Sequence, residues 1–577
     1  MMKKMWAVPL VAVVLAGCGG TDGAPGAKGQ DASDQLLMLA VEGRTSSQGF
    51  NVSAAEITAY DGTSGRIFTV NAQSGKVDVF AAADATQIAA LANPAQSVDL
   101  AAMLVANGIV DNAAKVGAAN SVAVHGNLAA VAVEAKTKTD NGWVVFLNAS
   151  TLAYVRAVPV GALPDMLVFT PDGSKVLVAN EGEPNVGYTI DPEGSVSVIR
   201  VSDYSVTTIG FGDFNDGGSR NGELPLKKMV LSGVGASVAK DLEPEYIAVR
   251  EDGLEAYVTL QEASAIAVLD LSNNTVKKII GMGFKDHTIP GNEFDASQQD
   301  GVNLKTWPVM GMYQPDAIAA YTVGGRTYLV TANEGDSRED WLNALTDSTS
   351  CGAAGYYFSG GKCRDELALK DAATATGFSA KLSTELAGLT TDTTLGRLKF
   401  SYQATLAKNG TTIDRLYAYG GRSFSIWDAQ TGERVYDSGS DFERITANRY
   451  GSLFNQDHNG SLSGDKRSNS KGPEPEGVAL GQINGRTYAF IGLERMGGVM
   501  VYDVSNPSAA SFVQYLNNRD ITRAPDTASV AAGSDLGPEG LTFVSGSKTP
   551  DGKPRLIVGN EVSGTTTVYL VNVNALR

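Results

Sequence analysis

Histidine, cysteine and aromatic residues are scarce in this sequence. Its 577 residues include three histidines and three cysteines, and aromatic residues make up 7% of the chain. The histidines, His125, His287 and His458, are too few to favour a histidine-based nucleophilic triad, and no Gly-x-Ser-x-Gly motif occurs. The same shortage of histidine and cysteine argues against a zinc site.

An excess of positive charge is also missing. The formal net charge is −17, and a surface of this sign repels the phosphates of nucleic acid, so we expect no nucleic-acid partner. Such acidity suits a secreted protein that meets divalent cations. In an oxidising compartment Cys351 and Cys363 are expected to pair and close a small loop worth roughly 3 kcal/mol. Two free thiols are the alternative.

The amino terminus indicates export and lipid anchoring. Two lysines precede an apolar run, 7–16, that is too short to span a membrane but has the form of a secretory signal. The run leads into Leu-Ala-Gly-Cys, which resembles the lipobox of bacterial lipoproteins, where Cys18 would be lipidated. We expect a signal peptide over 1–17, a flexible tether over 18–35, and anchoring to the membrane at the outer membrane or cell surface of a bacterial envelope. An ordinary signal peptide with an incidental cysteine is the alternative.

An internal repeat is the main positive feature of the chain. Five stretches share a proline, an acid, a short apolar strand, a turn, a second strand and a closing acid; they begin at Leu163, Glu243, Gln314, Glu474 and Gly537. Looser copies begin at Ala54 and Ala119, and an eighth unit from Arg415 keeps only the later strands. Third and fourth strands follow most copies, and four strands per repeated unit are typical of a β-propeller.

The repeat predicts an all-β fold, a single closed propeller of seven or eight four-stranded blades. The last unit stops after its third strand, and an orphan strand, LLMLAVEG from Leu36, precedes the first unit. We expect this amino-terminal strand to complete the last blade, which removes the open sheet edges. The propeller would occupy residues 36–577, with an irregular insertion at about 335–395 that contains the disulfide.

The two acidic positions of the repeat are expected to share one rim. In an antiparallel sheet the start of the first strand lies beside the end of the second, because the chain runs out and back. The opening position holds Glu56, Asn120, Asp165, Glu245, Asp316, Glu476 and Glu539. The closing position holds Asn71, Glu134, Glu181, Gln261, Glu334, Glu494 and Glu561. If first strands line the central channel, these carboxylates and amides face one mouth.

So many like charges need cations beside them. One candidate is Ca²⁺, a hard ion that takes six to eight oxygen ligands; the expected ligands are Asp165, Glu181, Glu245, Asp316, Glu334, Glu476, Glu494, Glu539 and Glu561. The other candidate is the chain's own basic residues, and the two explanations can coexist. Long loops rich in Asp, Asn and Gly also open at this rim, although these residues serve equally to make turns.

Several runs resemble the choice-of-anchor I proteins of bacteria: LPDMLVFTPDGSKVLVANEGEP, YQPDAIAAYTVGGRTYLVTANEGDSRE, LYAYGGRSFSIWDA and RSNSKGPEPEGVALG. That family is similar to the mesenchyme-specific cell-surface glycoproteins of echinoderm biomineralisation, and some bacterial members are called alkaline phosphatases. The resemblance covers nearly all of 36–577. It implies a surface-anchored propeller associated with Ca²⁺ and raises the question of phosphatase activity.

Two functions of different classes follow. A metal-dependent, alkaline-phosphatase-like phosphoester hydrolase would need positive charge on the phosphoryl oxygens, for which the candidates are Arg422, Arg467, Lys471 and Arg495; His287 is the candidate histidine in a rim loop. The alternative is a non-catalytic surface protein that binds calcium, mineral or an acidic polymer, or that serves as a protein-interaction scaffold.

Overall fold

The computed structural model describes residues 35–81, 93–372, 377–405 and 412–575. The predicted signal peptide and Cys18 lie outside the described residues. Within them the chain is mainly β-strand, as the repeat predicts, and the first element is β1 (Gln35–Arg44). No helix among the described residues has both the length and the apolar character needed to cross a bilayer.

The described residues form seven four-stranded antiparallel sheets, numbered here in chain order. Sheet 1 contains β2 (Thr58–Asp61), β3 (Arg66–Asn71), β4 (Lys76–Ala81) and β5 (Gln96–Asp99). Sheet 2 contains β6 (Val116–His125), β7 (Leu128–Ala135), β8 (Asn141–Asn148) and β9 (Tyr154–Ala162). Sheet 3 contains β10 (Pro164–Phe169), β11 (Lys175–Asn180), β12 (Ser195–Arg200) and β13 (Val206–Gly210). Sheet 4 contains β14 (Pro244–Val249), β15 (Glu255–Leu260), β16 (Ala265–Asp270) and β17 (Thr275–Gly281).

Two of the last three sheets, sheets 5 and 7, combine strands from distant parts of the chain. After β18 (Phe284–Asp286) and β19 (Val309–Met312), sheet 5 begins with β20 (Ile318–Val323) and β21 (Arg326–Asn333) and ends with β29 (Ser423–Asp428) and β30 (Arg434–Asp437). Sheet 6 contains β31 (Pro475–Ile483), β32 (Arg486–Leu493), β33 (Val499–Asp503) and β34 (Ser511–Leu516). Sheet 7 contains β35 (Pro538–Val544), β36 (Arg555–Asn560) and β37 (Thr565–Ala575), and β1 pairs antiparallel with β37 as its fourth strand.

Apolar packing joins the sheets in cyclic order. The first strand of each sheet packs against the first strand of the next, and β35 of sheet 7 packs against β2 of sheet 1. A buried apolar cluster lies between each consecutive pair of sheets, and one cluster, which includes Ile67 and Ile557, joins sheet 1 to sheet 7. Middle strands such as β12 and β16 are therefore buried on both faces, which explains their nearly continuous apolar sequences.

The unit from Arg415 does not form a sheet of its own among the described residues. Its first strand, β28 (Leu416–Ala418), belongs to a five-stranded sheet with β18, β19, β24 (Glu366–Ala368) and β26 (Lys399–Ser401), and β29 and β30 complete sheet 5. The segment inserted in sheet 5 therefore runs over 334–422, further than the predicted 335–395. It also contains β22 (Tyr357–Ser359) paired with β23 (Lys362–Arg364), β25 (Gly377–Phe378) paired with β27 (Thr412–Ile413), and a disulfide between Cys351 and Cys363.

Helices are short and lie in the connections. They are α1 (Leu100–Ala106), α2 (Val238–Asp241), α3 (Ser348–Ala353), α4 (Leu369–Ala372), α5 (Ala380–Glu385), α6 (Tyr402–Thr405), α7 (Asp441–Tyr450) and α8 (Thr527–Ala531). Single 3₁₀ turns occur at Ala72–Ser74, Ala113–Lys115, Gly212–Phe214, Asn221–Glu223, Asp340–Ala344, Gly451–Leu453 and Gly546–Lys548. The insertion and the connection between β18 and β19 share an apolar core that includes Phe294, Trp307 and Phe400.

Candidate functional site

The proline-acid pair opens four sheets with the same β-bulge. In sheet 3, Pro164 is paired with Asn180 and the next pair is Leu167 with Val178, so β10 carries one extra residue. The same shift follows the opening prolines of sheets 4, 6 and 7, which are Pro244, Pro475 and Pro538. A bulge bends its strand and redirects a side chain. The acid that follows each proline lies inside this bulge.

Backbone hydrogen bonds bring the closing acids to the same edge. The amide of Glu181 donates to the carbonyl of Leu163, which precedes the opening proline, at 2.9 Å. The same bond is 2.8 Å long from Glu494 to Glu474 and 2.7 Å long from Glu561 to Gly537. The opening and closing positions of these repeats therefore lie side by side at one end of their sheets.

Acids from several sheets line one cavity of about 390 Å³, which we call the acidic mouth. Its carboxylates belong to Glu56, Glu134, Asp165, Glu181, Glu183, Asp316 and Glu539. These residues come from sheets 1, 2, 3, 5 and 7 and the connections next to them. Asn120 also lines the cavity, and Lys138 is the one lysine or arginine that the described part of the chain contributes to the lining. The structure thus brings opening and closing acids from distant repeats to a common space.

Two glycines permit this convergence. A Cβ atom on Gly477, which follows Glu476, would lie 1.8 Å from the carbonyl oxygen of Glu539. A Cβ atom on Gly540, which follows Glu539, would lie 2.6 Å from the carbonyl oxygen of Glu56. Only a residue without a side chain allows the backbones of neighbouring sheets to approach so closely. The Pro-Glu-Gly sequence thus combines the bulge, the acid and the close approach.

The acids of the mouth raise one another's pKa values. Burial raises the pKa of Glu56 well above its usual range, and the carboxylates of Glu561 and Asp165 raise it further. Burial likewise raises the pKa of Glu539, with Glu56 and Glu561 as its main charged neighbours. Burial and the Glu183 carboxylate raise the pKa of Asp165 to about 7, although Lys138 acts in the opposite direction. Positive charge within the mouth is therefore too small to offset the acids.

Two expected ligands, Glu245 and Glu476, lie beside the mouth. Burial raises the pKa values of both; Glu262 is the main charged neighbour of Glu245, and Glu494 that of Glu476. One carboxylate oxygen of Glu476, Oε2, is buried and has no hydrogen-bond partner, and the same is true of Oε2 of Glu539. An acceptor oxygen without a donor is costly in a buried place, and this cost disappears when a cation binds it.

A second acidic group is neutralised by the chain itself. Glu334, Glu474 and Glu494 each place a carboxylate oxygen within 4.8 Å of the other two. Glu474, which is fully buried, accepts from Arg467 at 2.8 Å and from Arg495 at 3.0 Å, and the ammonium of Lys471 lies 3.3 Å away. Lys471 also donates to Glu334 at 2.8 Å.

The three cations decide the charge state of this second group. Burial alone would raise the pKa of Glu474, but Arg467, Lys471 and Arg495 hold it well below its usual range. Burial raises the pKa of Glu494 to about 8, against the effect of Arg495. Three of the four basic residues considered for phosphoryl binding are thus held in ion pairs with buried acids.

Arg422 and His287 lie together at a different place. Arg422 pairs with Glu443 at 2.6 Å, and its guanidinium stands 4.4 Å from the ring centroid of Phe294. The His287 ring packs against the same phenylalanine, and its Nδ1 lies 2.7 Å from the carbonyl oxygen of Asn292. Burial lowers the pKa of His287 to about 3, and the nearby Lys285 contributes. These contacts give both side chains a role in packing.

Three charged residues near the mouth escaped the sequence reasoning. Glu183 and Glu262 lie two and one residues after closing positions, so the alignment of repeats passed over them. Lys138 lies in the connection between β7 and β8, and its ammonium is 3.7 Å from Glu183. The sequence signal was present in the run Glu-Gly-Glu from Glu181 and in Gln-Glu from Gln261, where a second acid follows the aligned one.

Known structures and proteins resemble this chain to different extents. The alignment with the hydrazine synthase of Kuenenia stuttgartiensis covers 90% of this chain and 96% of that chain, at 12% identity and a TM-score of 0.42. The alignment with the Cps50 (Swd1) β-propeller domain of Myceliophteria thermophila covers 93% of this chain and 100% of that chain, at 7% identity and a TM-score of 0.38.

Two animal proteins are similar in sequence. Gigasin-3a of Magallana gigas is 32% identical over 187 residues, which are 31% of this chain and 66% of that protein. The mesenchyme-specific cell surface glycoprotein of Strongylocentrotus purpuratus is 28% identical over 283 residues, which are 46% of this chain and 35% of that protein. The chain thus spans only part of the length of both relatives.

The family is given by the sequence model of the choice-of-anchor I domain, which matches residues 56–507. The match begins at Glu56, the first opening acid, and includes sheets 1 to 5, the insertion and the first three strands of sheet 6. Because it covers more than half of the chain, this protein belongs to the choice-of-anchor I family.

Proposed function

We propose that this protein is a non-catalytic cell-surface protein that binds Ca²⁺ in its acidic mouth. The observation that carries the proposal is the imbalance of charge: seven carboxylates and one ammonium line the same cavity. The buried oxygens Oε2 of Glu476 and Oε2 of Glu539, which have no donor, support it independently. Like charges in a partly desolvated space are costly, and a bound divalent cation removes this cost.

The spacing of three acids suits a calcium ion. Glu56, Glu539 and Glu561 each place one carboxylate oxygen within 4.8 Å of the other two. Oxygens bound to Ca²⁺ lie about 2.4 Å from the ion, so two oxygens on opposite sides are about 4.8 Å apart. Ca²⁺ also accepts irregular coordination and carboxylate, amide and water oxygens, whereas Mg²⁺ requires a near-ideal octahedron. The site would hold the ion and present its free coordination positions to a ligand.

The architecture that supports this function is a closed seven-bladed propeller. Seven four-stranded sheets, the cyclic packing of their first strands and the apolar cluster between sheets 7 and 1 support it. The pairing of β1 with β37 would seal the ring. A rigid ring of this kind keeps acids from distant repeats at fixed distances, which a flexible acidic segment cannot do.

Attachment to the cell surface is the second part of the proposal. Membership in the choice-of-anchor I family supports surface association, and one relative is named as a cell surface glycoprotein. We propose that lipid on Cys18 provides the anchor in a bacterial envelope. Incorporation of labelled palmitate into the full chain, and its loss in Cys18→Ser, is the expected result; equal labelling of both proteins would refute lipid attachment at this residue.

Binding is favoured over phosphoester hydrolysis by the state of the basic residues. Arg422, Arg467, Lys471 and Arg495 are engaged with buried acids, so none is free to stabilise charge on a phosphoryl group. Assay of p-nitrophenyl phosphate with added Ca²⁺ separates the two functions. We expect no turnover; calcium-dependent turnover that is lost in Glu539→Gln would establish the hydrolase instead.

Calorimetric titration of the mature protein with Ca²⁺ tests the binding site. We expect Glu539→Gln with Glu561→Gln to remove at least one calcium equivalent, because the substitution keeps the shape of the side chains and removes two charges. Glu385→Gln, at an exposed position on α5 where the side chain pairs with Lys381, is the matched control and should titrate like the unmodified protein. Equal stoichiometry and affinity in all three proteins would refute the proposal.

A further inference from the structure

A third group of acids lies outside the mouth, in two long connections. Asp295 and Asp300 belong to the connection between β18 and β19, and Asp465 belongs to the connection between α7 and β31. One carboxylate oxygen from each lies within 4.8 Å of the other two. We call these three residues the loop cluster. They are 165 or more positions apart across the two connections, so the fold alone brings them together.

Unpartnered oxygens point to a missing ligand in the loop cluster. Asp465 is 6% exposed, and its Oδ1 accepts from Ser468 at 2.5 Å, but its buried Oδ2 has no hydrogen-bond partner. Oδ1 of Asp300 is also buried without a partner. The fully buried Asn455 donates through Nδ2 to Ser468, and its Oδ1 accepts nothing. Two carboxylate oxygens and one amide oxygen therefore lack a donor in this buried place.

The remaining polar groups hold the cluster in place. Backbone amides donate to both oxygens of Asp295, from Ser297 at 3.1 Å and from Asn303 at 2.7 Å. Nδ2 of Asn303 also donates to Asp300. These bonds fix the direction of the carboxylates but supply little positive charge. Local hydrogen bonding thus positions the acids and leaves their charge to be balanced by something else.

Protein cations do not balance this charge. Among the described residues no lysine, arginine or histidine forms an ion pair with Asp295, Asp300 or Asp465. The nearby guanidinium of Arg422 pairs with Glu443 and donates to the carbonyl, not the carboxylate, of Asp295. Burial raises the pKa of Asp295 to about 8, and the carboxylates of Glu443 and Asp465 raise it further. The loop cluster thus differs from the group around Glu474, where three protein cations pair with the acids.

We propose that the loop cluster binds a second divalent cation, Ca²⁺, that fastens the two connections to each other. Asp295, Asp300 and Asp465 would supply carboxylate oxygens, Asn455 its amide oxygen, and water the remaining ligands. The set contains only hard oxygen donors, which exclude a preference for zinc or copper. This site is separate from the acidic mouth and does not depend on the function assigned to it.

The ion would order three parts of the chain at once. Ser297, close to Asp295, donates to the carbonyl of Asp392 in the insertion at 2.7 Å. On the other connection, the carbonyl of Asn469 accepts from the amide of Lys399, also in the insertion, at 2.9 Å. An ion held between the connections would therefore also stabilise the inserted segment, which already shares a five-stranded sheet with β18 and β19 and an apolar core with the connection between them.

Asp465→Asn and Asp300→Asn give the decisive test, because asparagine keeps the shape and removes the charge. Thermal unfolding is measured with excess chelator and with Ca²⁺, in a background carrying Glu539→Gln and Glu561→Gln to silence the mouth. Without Ca²⁺ we expect each variant to be as stable as the background or more stable, because repulsion is relieved. With Ca²⁺ we expect the background alone to gain melting temperature. Asp140→Asn, at an exposed position, is the matched control and should behave as the background.

Two results would overturn the proposal. A calcium-dependent gain that is the same in Asp465→Asn and in the background would place the ion elsewhere. A large loss of stability in the chelated variants would indicate a purely structural role for the acids. If one variant does not fold, the second carries the same test.

Terbium luminescence locates the ion without relying on stability. The indole nitrogen of Trp307 donates to the carbonyl of Phe294, next to Asp295, so this tryptophan is placed to sensitise a Tb³⁺ ion in the loop cluster. We expect sensitised emission in the same background, displacement by Ca²⁺, and a loss of at least half of the signal in Trp307→Phe and in Asp465→Asn. Emission unchanged in both variants would refute a metal site at this position.

Discussion

Replacing Glu474 by glutamine tests whether the second acidic group is neutralised by the protein itself. The fully buried carboxylate of Glu474 is contacted by Arg467, Lys471 and Arg495 within 3.3 Å. Glutamine has nearly the same shape, so the change removes charge and leaves packing intact. It leaves three cations around a neutral side chain, with Glu334 and Glu494 as the remaining acids.

The expected loss is large for one substitution. Removing one partner of a buried ion pair costs about 3–5 kcal/mol, and three cations depend on Glu474, so we expect about 5 kcal/mol. The unfolding entropy of a chain of 577 residues is about 1.2 kcal/mol per kelvin, so this corresponds to a fall of only about 4 °C in melting temperature. Urea unfolding at 25 °C, which reports the free energy directly, is therefore the better assay.

Two controls make the result specific. Glu385→Gln breaks an exposed pair with Lys381 and should cost at most about 0.5 kcal/mol. The double variant Glu474→Gln with Arg495→Gln should cost at least about 1 kcal/mol less than the sum of the single variants, because the two side chains are in contact. A loss below about 1 kcal/mol for Glu474→Gln, or a loss that depends on Ca²⁺, would refute the reasoning that this group needs no ion.

Three further predictions concern the rest of the fold. The folded chain keeps the pKa of His287 at about 3, so as pH falls below about 6.5 this histidine takes up a proton in the unfolded state before it does so in the folded state. His287→Gln should therefore reduce the loss of unfolding free energy between pH 7 and pH 4. Parallel curves of unfolding free energy against pH for the variant and the unmodified protein would contradict this. Replacing both Cys351 and Cys363 by serine opens a loop with a sequence separation of 12 and should cost about 3 kcal/mol, seen as faster proteolysis within 334–422; unchanged cleavage would count against it. Deleting Gln35–Arg44 exposes the edge of β37 and should produce concentration-dependent oligomers in size-exclusion chromatography, whereas a monomer at all concentrations would show that the edge is protected otherwise.

The repeat predicted the strands and their order well because the signal was local. Each copy carries its own apolar strands and turn, and the pairing of β1 with β37 followed from counting the strands of the last unit. The unit from Arg415 was harder to interpret. Its strand β29 pairs with β21, which ends at Asn333, and no local pattern announces a partner 90 positions away. Strand pairing over an insertion is decided by packing, not by propensity.

The convergence of the acids could be predicted from the repeat, but the cations beside each acid could be predicted only in part. Alignment put the opening and closing acids at one rim, yet the β-bulge that directs Asp165 is a property of pairing register and leaves no mark in composition. Lys471 pairs not only with its neighbour Glu474 but also with Glu334, 137 positions earlier, and this second ion pair could not be inferred from spacing. The sequence pointed to the loops that hold Asp295 and Asp465, because they are rich in Asp, Asn and Gly, but such residues also make turns and nothing local shows that the two loops meet.

Positive charge is distributed unevenly among the acids of the repeats. The closing acids of sheets 5 and 6 have cations of the chain beside them: Glu334 pairs with Lys471 from the connection before β31, and Glu494 pairs with Arg495 just after β32. In the mouth, by contrast, Lys138 is the one lysine or arginine among the described lining residues, beside the acids of sheets 7, 1, 2 and 3 and Asp316 of sheet 5. The closing acids of sheets 5 and 6 are thus held in ion pairs, whereas the acids of the mouth have little positive charge beside them. A cationic ligand approaching these acids would be drawn to the mouth, because unscreened negative charge in a cleft concentrates cations there.

This asymmetry also predicts where the loss of a positive charge matters. Lys138→Gln should strengthen calcium binding, whereas Lys471→Gln should lower the free energy of unfolding and leave calcium affinity unchanged. Calorimetric titration of both variants with Ca²⁺ tests the difference, and equal calcium affinities in the two variants would contradict it.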